Sequence, residues 1–442
     1  MVDLKALNIQ LNSEETAILQ GKQGSVMQKV METVVLYGEA LEAEKLVDIE
    51  GPGHFVIPYS TPGIAPSIKM LEDLAAAGLK TKYPFTLDPR GALDFENLNL
   101  RPEVEQGLLE MYQDQDHYEE LLEQLGLRDN QAYTCNPYQP EVGNIPERGT
   151  VLAWSESACA IFANSVLGAR TNRNGAIMDL LSNIAGKTPL AGLLTDQGRR
   201  ASWLVEMTAS ELPNPHLLGA AIGKKVMADV PYIVGLDRFL NPELDPFTID
   251  YLQDMGAMCA TYGAVGLYHV ENITPEAVEF GQDLLDPGYS TLPIDEGGLS
   301  ALLNSFPQLW DDKNSLPEKC FIGCPHISLR QLYWWADAIQ RELKKTAREE
   351  VTVETILCSA PQILEKFTSD KDTSGWLERA GVKLSPCCCE TIFETGLKAG
   401  HPVLTNSNKL RAYSSARFLP DEELVRVLVS GELPGIGYDQ NL

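Results

Sequence analysis

Short apolar runs that stop abruptly at polar, thiol or imidazole groups recur along this chain, and they constrain its fold more than any other feature. Residues 46–49 lead into Gly51-Pro52-Gly53-His54, residues 151–154 into Ser155-Glu156-Ser157, and residues 190–194 into Thr195-Asp196-Gln197. Residues 264–271 end on His269 and Glu271, residues 320–326 on Cys324-Pro325-His326, and Pro402-Val403-Leu404 breaks into Thr405-Asn406-Ser407-Asn408-Lys409. Between such runs apolar residues return at helical spacing, as at Val30, Val34, Tyr37 and Leu41. The alternation predicts an α/β protein with mainly parallel sheets flanked by helices. Ligands of such folds bind outside the carboxyl ends of the strands, so the candidate functional groups are those at the run ends.

A length of 442 residues suits two or three domains. The expected division is an N-terminal α/β domain over residues 1–130, a central α/β domain over 131–290 with an Arg-rich turn, and a C-terminal α/β domain over 291–442 carrying a Cys/Ser site. A formal net charge of −27 disfavours nucleic acid and anionic membranes as partners. Neither a signal peptide nor an apolar run of about eighteen residues is present, so a cytoplasmic protein is expected. In a reducing compartment nine cysteines suggest metal ligation or plain burial rather than a disulfide framework. No GxxxxGK[ST] and no strand-borne GxGxxG occurs, which argues against a simple nucleotide site.

Three groups of residues carry chemistry. Cys387, Cys388 and Cys389 form a run of soft metal ligands shortly before the polar break at Thr405. Cys135 lies in an irregular Pro/Gly/Asn-rich loop from which a thiol can reach a metal, and Cys324, beside His326 at a strand exit, is a better ligand candidate than Cys320. Arg170 and Arg173 flank Thr171 and Asn172, and guanidinium forks match carboxylates and phosphates. Taken singly, each has a plainer explanation, as a small core cysteine, a surface arginine or a structural histidine.

In combination and order, the residues resemble the aconitase X family of hydro-lyases. The resemblance runs nearly end to end and is carried by Leu19-Gln20-Gly21-Lys22-Gln23-Gly24, Thr134-Cys135-Asn136-Pro137-Tyr138, Trp154-Ser155-Glu156-Ser157-Ala158 and the run from Asn164 to Arg173. Tyr268-His269-Val270-Glu271, Gly323-Cys324-Pro325-His326 and Thr405-Asn406-Ser407 with Lys409 complete it. It implies an aconitase-like large subunit with its active site at strand C-terminal ends between domains. It also implies an iron–sulfur cluster, 4Fe–4S or 2Fe–2S, or a mononuclear iron, with Cys135, Cys324 and Cys389 as ligands. Ser407 becomes the base, helped by Lys409, with His326 as a further catalytic candidate. Arg170, Arg173, Asn172, Ser155, Ser157, Thr405, Asn406 and His269 become the substrate-binding candidates. Where the family shows Asp-Thr-Cys this chain has Cys387-Cys388-Cys389, which leaves two thiols without a role.

Members of that family dehydrate cis-3-hydroxy-L-proline or mevalonate 5-phosphate, and the first is the favoured substrate here because no dedicated phosphate loop occurs. A separate small swivelling subunit is expected as partner. The alternative from another class is an electron-transfer or non-catalytic iron–sulfur protein, against which Ser407, Lys409 and Arg170 argue because electron transfer needs none of them.

Overall fold

A computed structural model describes residues 7–56, 64–391, 393 and 401–433. The chain divides into two compact units, one formed by Met1–Asp88 with Tyr112–Asn304 and the other by Pro89–Met111 with Ser305–Leu442.

Among the described residues the first unit holds eight strands. β1 (Leu46–Asp48) pairs antiparallel with β4 (Lys187–Pro189), and β2 (His54–Phe55) pairs parallel with β3 (Thr86–Leu87). Parallel bridges extend the second pair, from His54 to Trp154 and from Leu87 to Tyr133. β5 (Ala201–Met207), β6 (Pro231–Val234), β7 (His269–Val270) and β8 (Leu285–Ile294) form a parallel sheet in the order β7-β6-β5-β8. Two helices pack together in this unit, Pro215–Val226 and Pro246–Tyr262. Asn214 and Asp245 accept from backbone N–H groups of their first turns, and each helix opens with proline, whose missing N–H costs nothing there. The crossing is close enough that a Cβ on Gly219 would lie 2.2 Å from Met255 O, so only glycine fits.

The second unit is built on a five-stranded parallel sheet in the order β11-β10-β9-β12-β13. Its strands are β9 (Lys319–Ile322), β10 (Glu354–Cys358), β11 (Val382–Ser385), β12 (Val403–Thr405) and β13 (Arg417–Phe418). Central β9 is apolar and buried at Cys320, Phe321 and Ile322, as expected of a parallel strand covered on both faces. Its following helix, Leu329–Thr346, begins with a capping box in which Ser328 and Gln331 satisfy each other's backbone N–H groups. Residues 89–111 join this unit through bonds such as Ser385 Oγ to Asp94 Oδ2 at 2.7 Å and Lys319 Nζ to Asn99 O at 3.0 Å.

Mainly parallel sheets flanked by helices are therefore what the alternation predicted, although several strands are shorter than the apolar runs that announced them. Of residues 264–271 only His269–Val270 is strand, and residues 190–194 are not strand at all. There Asn172 intervenes: its Nδ2 donates to Ala191 O at 2.8 Å and its Oδ1 accepts from Leu193 N at 2.7 Å, which removes the groups a ladder would need.

Candidate active site

In the second unit the parallel register brings four thiols to one edge. Ile322 pairs with Leu357 and Cys358 with Ser385, so the residues just past β9, β10 and β11 leave the sheet side by side. Gly323 permits this: at φ 118° a Cβ there would sit 2.3 Å from Cys358 O. The thiols touch in sequence, Cys324 bonding to Cys389, Cys389 to Cys358 and Cys358 to Cys387. Cys324, Cys358, Cys387 and Cys389 are all buried, whereas Cys388 is partly exposed. The bond to Cys389 and then burial push the Cys324 thiol well up, while the positive charge of Lys409 works against them. In Cys389 the bond from Cys324 lowers the pKa, but its bond to Cys358 and its burial prevail and the thiol still lies well above its usual range.

Ser407 stands beside this group at the exit of β12. Its Oγ donates to Cys324 O and accepts from Leu410 N at 3.1 Å, capping the short helix Asn408–Tyr413, and its own N–H donates to Thr405 Oγ1 at 2.9 Å. Thr405, Asn406 and Ser407 are buried, and Asn406 Nδ2 bonds Asp421 Oδ1 at 3.2 Å. His326 is buried too, with Nε2–H held by Cys387 O at 3.2 Å. Burial draws its pKa down to about 4, so the ring is neutral near pH 7.

The first unit gathers different groups. The parallel pairing of Tyr133, Leu87, His54 and Trp154 puts Asp88, Cys135, Ser155 and Glu156 at one end of the strands. His54 is fully buried, its Nδ1 2.9 Å from Thr86 Oγ1 and its Nε2 3.7 Å from Asp88 Oδ1. Cys159 Sγ donates to Cys135 O, and Glu156 caps the helix Ser157–Phe162 by accepting from Cys159 N at 2.6 Å. Ser155 Oγ accepts from Val56 N at 2.9 Å, and Ser157 Oγ donates to Glu156 Oε1 at 3.3 Å.

Arg170, expected to bind an anion, and the nearby Arg199 and Arg200 are engaged with carboxylates. Arg170 meets Asp196 at 2.5 Å, Arg200 meets Asp286 at 2.6 Å, and Arg199, buried, meets Glu276 at 2.7 Å. Arg173 donates to Ala264 O at 3.0 Å. Arg148, Arg170, Arg199, Arg200, Glu276 and Glu279 help line a cavity of about 670 Å³ whose cations are already neutralised. His269 belongs to the same network: Nε2–H is held by Arg199 O at 2.8 Å, Nδ1 faces Glu276 at 3.8 Å, and burial brings its pKa to about 4.

Sequence reading did not single out Cys358. Its signal was present, since it is the last residue of an apolar run and a cysteine at a strand exit, but the run appeared to end at Leu357.

Among the described residues no three His, Cys, Asp or Glu side chains gather tightly enough to hold a metal ion. Cys324 and Cys389 are soft, buried, mutually touching thiols, and the Lys409 charge favours the Cys324 thiolate, so this donor pair suits a soft cation such as the iron of an iron–sulfur centre.

The aconitase X first-domain model matches residues 8–197 and the second-domain model residues 201–303. The phosphomevalonate dehydratase large subunit of Thermococcus kodakarensis is 36% identical over 324 residues, which are 73% of this chain and 75% of that protein. The cis-3-hydroxy-L-proline dehydratase of Hypocrea jecorina is 26% identical over 427 residues, 93% of this chain and 65% of that enzyme. A crystal structure of Thermococcus kodakaraensis aconitase X in its holo-form superposes with a TM-score of 0.75 at 29% identity, covering 95% of this chain and 99% of that one. These relatives are dehydratases, and the chain is accordingly a carbon–oxygen lyase of the hydro-lyase class. The chain belongs to the aconitase X family.

Proposed function

We propose that this enzyme removes water from a small 3-hydroxycarboxylate, with mevalonate 5-phosphate as the first substrate to test and cis-3-hydroxy-L-proline as the second. The observation that carries the order is the 36% identity to a phosphomevalonate dehydratase large subunit, against 26% to a hydroxyproline dehydratase. That reverses the order expected from sequence, which put cis-3-hydroxy-L-proline slightly ahead for want of a dedicated phosphate loop. The second reading keeps support from its match over 93% of this chain.

Cys135, Cys324 and Cys389 would hold an iron or iron–sulfur centre, which when bound supplies Lewis acidity towards an oxygen of the substrate. The rest falls to the chain. Ser407 Oγ takes the proton α to the carboxylate, and for this it must first lose its own proton, now directed at Cys324 O. The Leu410 N–H already donates to that oxygen and the Lys409 charge acts at the same exit, so both favour an alkoxide. His326, neutral and with Nε2–H occupied, serves to hold the Cys387 backbone rather than to carry a proton through Nε2. Thr405 orients Ser407 by accepting its backbone N–H, and Asn406 is the proposed amide for a substrate carboxylate, a role that requires exchanging Asp421 for the substrate. Ser155, Ser157, Asn172, Arg170, Arg173 and His269 remain proposed substrate contacts from the first unit. For Arg170 the role requires exchanging Asp196 for the substrate. The name "large subunit" of the relatives supports a separate small subunit as partner.

The test is anaerobic purification with and without a small subunit, followed by assay of both compounds for loss of water. Turnover of mevalonate 5-phosphate at least tenfold above cis-3-hydroxy-L-proline is expected. A protein inactive on both, with its partner present, contradicts the reading.

A further inference from the structure

Cys358 and Cys387 have no part in the chemistry proposed above, yet they are arranged for chemistry of their own. Cys358 is the last residue of β10 and Cys387 follows β11 by two residues, and Cys358 pairs directly with Ser385 across the parallel ladder. Three further bonds fix this geometry. Ser359 N donates to Ser385 O at 3.2 Å, Cys387 N to Ser385 Oγ at 3.3 Å, and Ile327 N to Cys358 O at 3.0 Å. The two side chains meet, the thiol of Cys358 bonding to that of Cys387. Both are shut away from solvent, at 0% and 2% exposure, whereas the neighbouring Cys388 is partly exposed.

We propose that Cys358 and Cys387 are a reversible disulfide site, oxidised by a small-molecule disulfide that enters at Cys388. An acceptor RSSR exchanges first with the accessible Cys388 thiolate, forming a mixed disulfide and releasing one RSH. Attack by the Cys358 thiolate on the Cys388 sulfur releases the second RSH, and attack by Cys387 on the Cys358 sulfur then returns Cys388 to the thiol. The sum is one dithiol plus RSSR giving one protein disulfide plus two RSH, so two electrons and two protons pass from the pair to the acceptor. A disulfide needs neighbouring backbones with converging Cβ atoms, which the ends of adjacent parallel strands supply. Cys324 and Cys389, the metal-ligand candidates, are not consumed. Oxidation does, however, withdraw Cys358 from its bond with Cys389, which leaves Cys389 with Cys324 as its thiol neighbour. The pair thereby links the redox state of the surroundings to the sulfur environment of a proposed ligand.

The experiment treats the folded full-length chain with oxidised glutathione, quenches with acid, alkylates the remaining thiols and maps peptides without reduction. A linked peptide joining Cys358 to Cys387, removed by dithiothreitol, with two thiols fewer per chain than the untreated protein, is the expected result. In Cys358→Ser the loss should fall at least tenfold, leaving glutathione on Cys388. Should that variant fail to fold, Cys387→Ser should stop one step later, linking Cys358 to Cys388 and giving no glutathione-dependent bond at position 387. Both cysteines remaining alkylated in the wild-type chain, or Cys358 linking to Cys389 instead, would overturn the proposal. Neither readout depends on bound iron or on activity.

Discussion

The strand ends of the two units differ in what they leave unsatisfied. In the first unit the charged groups come in matched sets: Arg199 with Glu276, Arg170 with Asp196, Arg200 with Asp286, and Glu156 with a helix N-terminus. In the second unit the exits carry four touching thiols and a buried serine, with the Lys409 charge acting on the Cys324 thiol. The contrast teaches that a cluster of arginines in an acidic chain is by itself weak grounds for an anion site. A cluster of buried thiols beside a capped serine is less easily explained by stability, because burial works against every one of their reactive forms.

Mutations that strip the thiol edge should have the largest effect. Cys324→Ser should abolish visible absorbance and iron content in anaerobic preparations and lower kcat by at least about 10³-fold, while urea melts change little. An iron-replete Cys324→Ser enzyme would erase the proposed difference between the units. Next come the paired cations of the first unit. Arg199→Ala leaves Glu276 buried without its closest partner and should cost roughly 3–5 kcal/mol in urea unfolding. Arg170→Ala, at a half-buried site with a well-exposed Asp196, should cost about 1 kcal/mol or less. If Arg170→Ala instead raises KM at least tenfold with stability intact, the arginine turn is a substrate site after all.

How much of this the sequence disclosed follows from range. Each exit was legible because a strand end and the polar residue after it are adjacent in the chain, so His54, Ser155, Cys324 and Ser407 all stood out. Partners far apart in sequence were not. Arg199 and Glu276, or Cys358 and Cys387, meet only through sheet order, and nothing local to Cys358 shows that β11 will lie beside β10. Nor does local reading reveal that Asn172 binds the backbone at Ala191 and Leu193, which cancels the strand expected at 190–194.

A further expected effect is a matter of pH. Asp179 is fully buried in the first turn of the helix Ala176–Ala185, and burial raises its pKa to about 7 from near 4. The folded state therefore binds this proton more tightly than the unfolded chain does. The stability it contributes is complete below pH 4 and is lost as pH rises through 7. Asp179→Asn should accordingly be close to neutral near pH 4 and gain roughly 4 kcal/mol at pH 8, read by urea melts at both values. An equal effect at the two values would show that Asn174, whose Nδ2 lies 3.0 Å from Asp179 Oδ1, holds the ionised form as well as water does.

The account rests most heavily on Ser407, and Ser407→Ala tests it most directly. Losing the cap on Asn408–Tyr413 should cost about 1 kcal/mol, which leaves the protein folded. The measurement is kcat for loss of water from mevalonate 5-phosphate by the anaerobically prepared enzyme with its small subunit, alongside its visible spectrum. The prediction is a kcat lower by at least about 10³-fold with the spectrum of the wild type. Turnover within tenfold of the wild type would contradict a serine base at this exit.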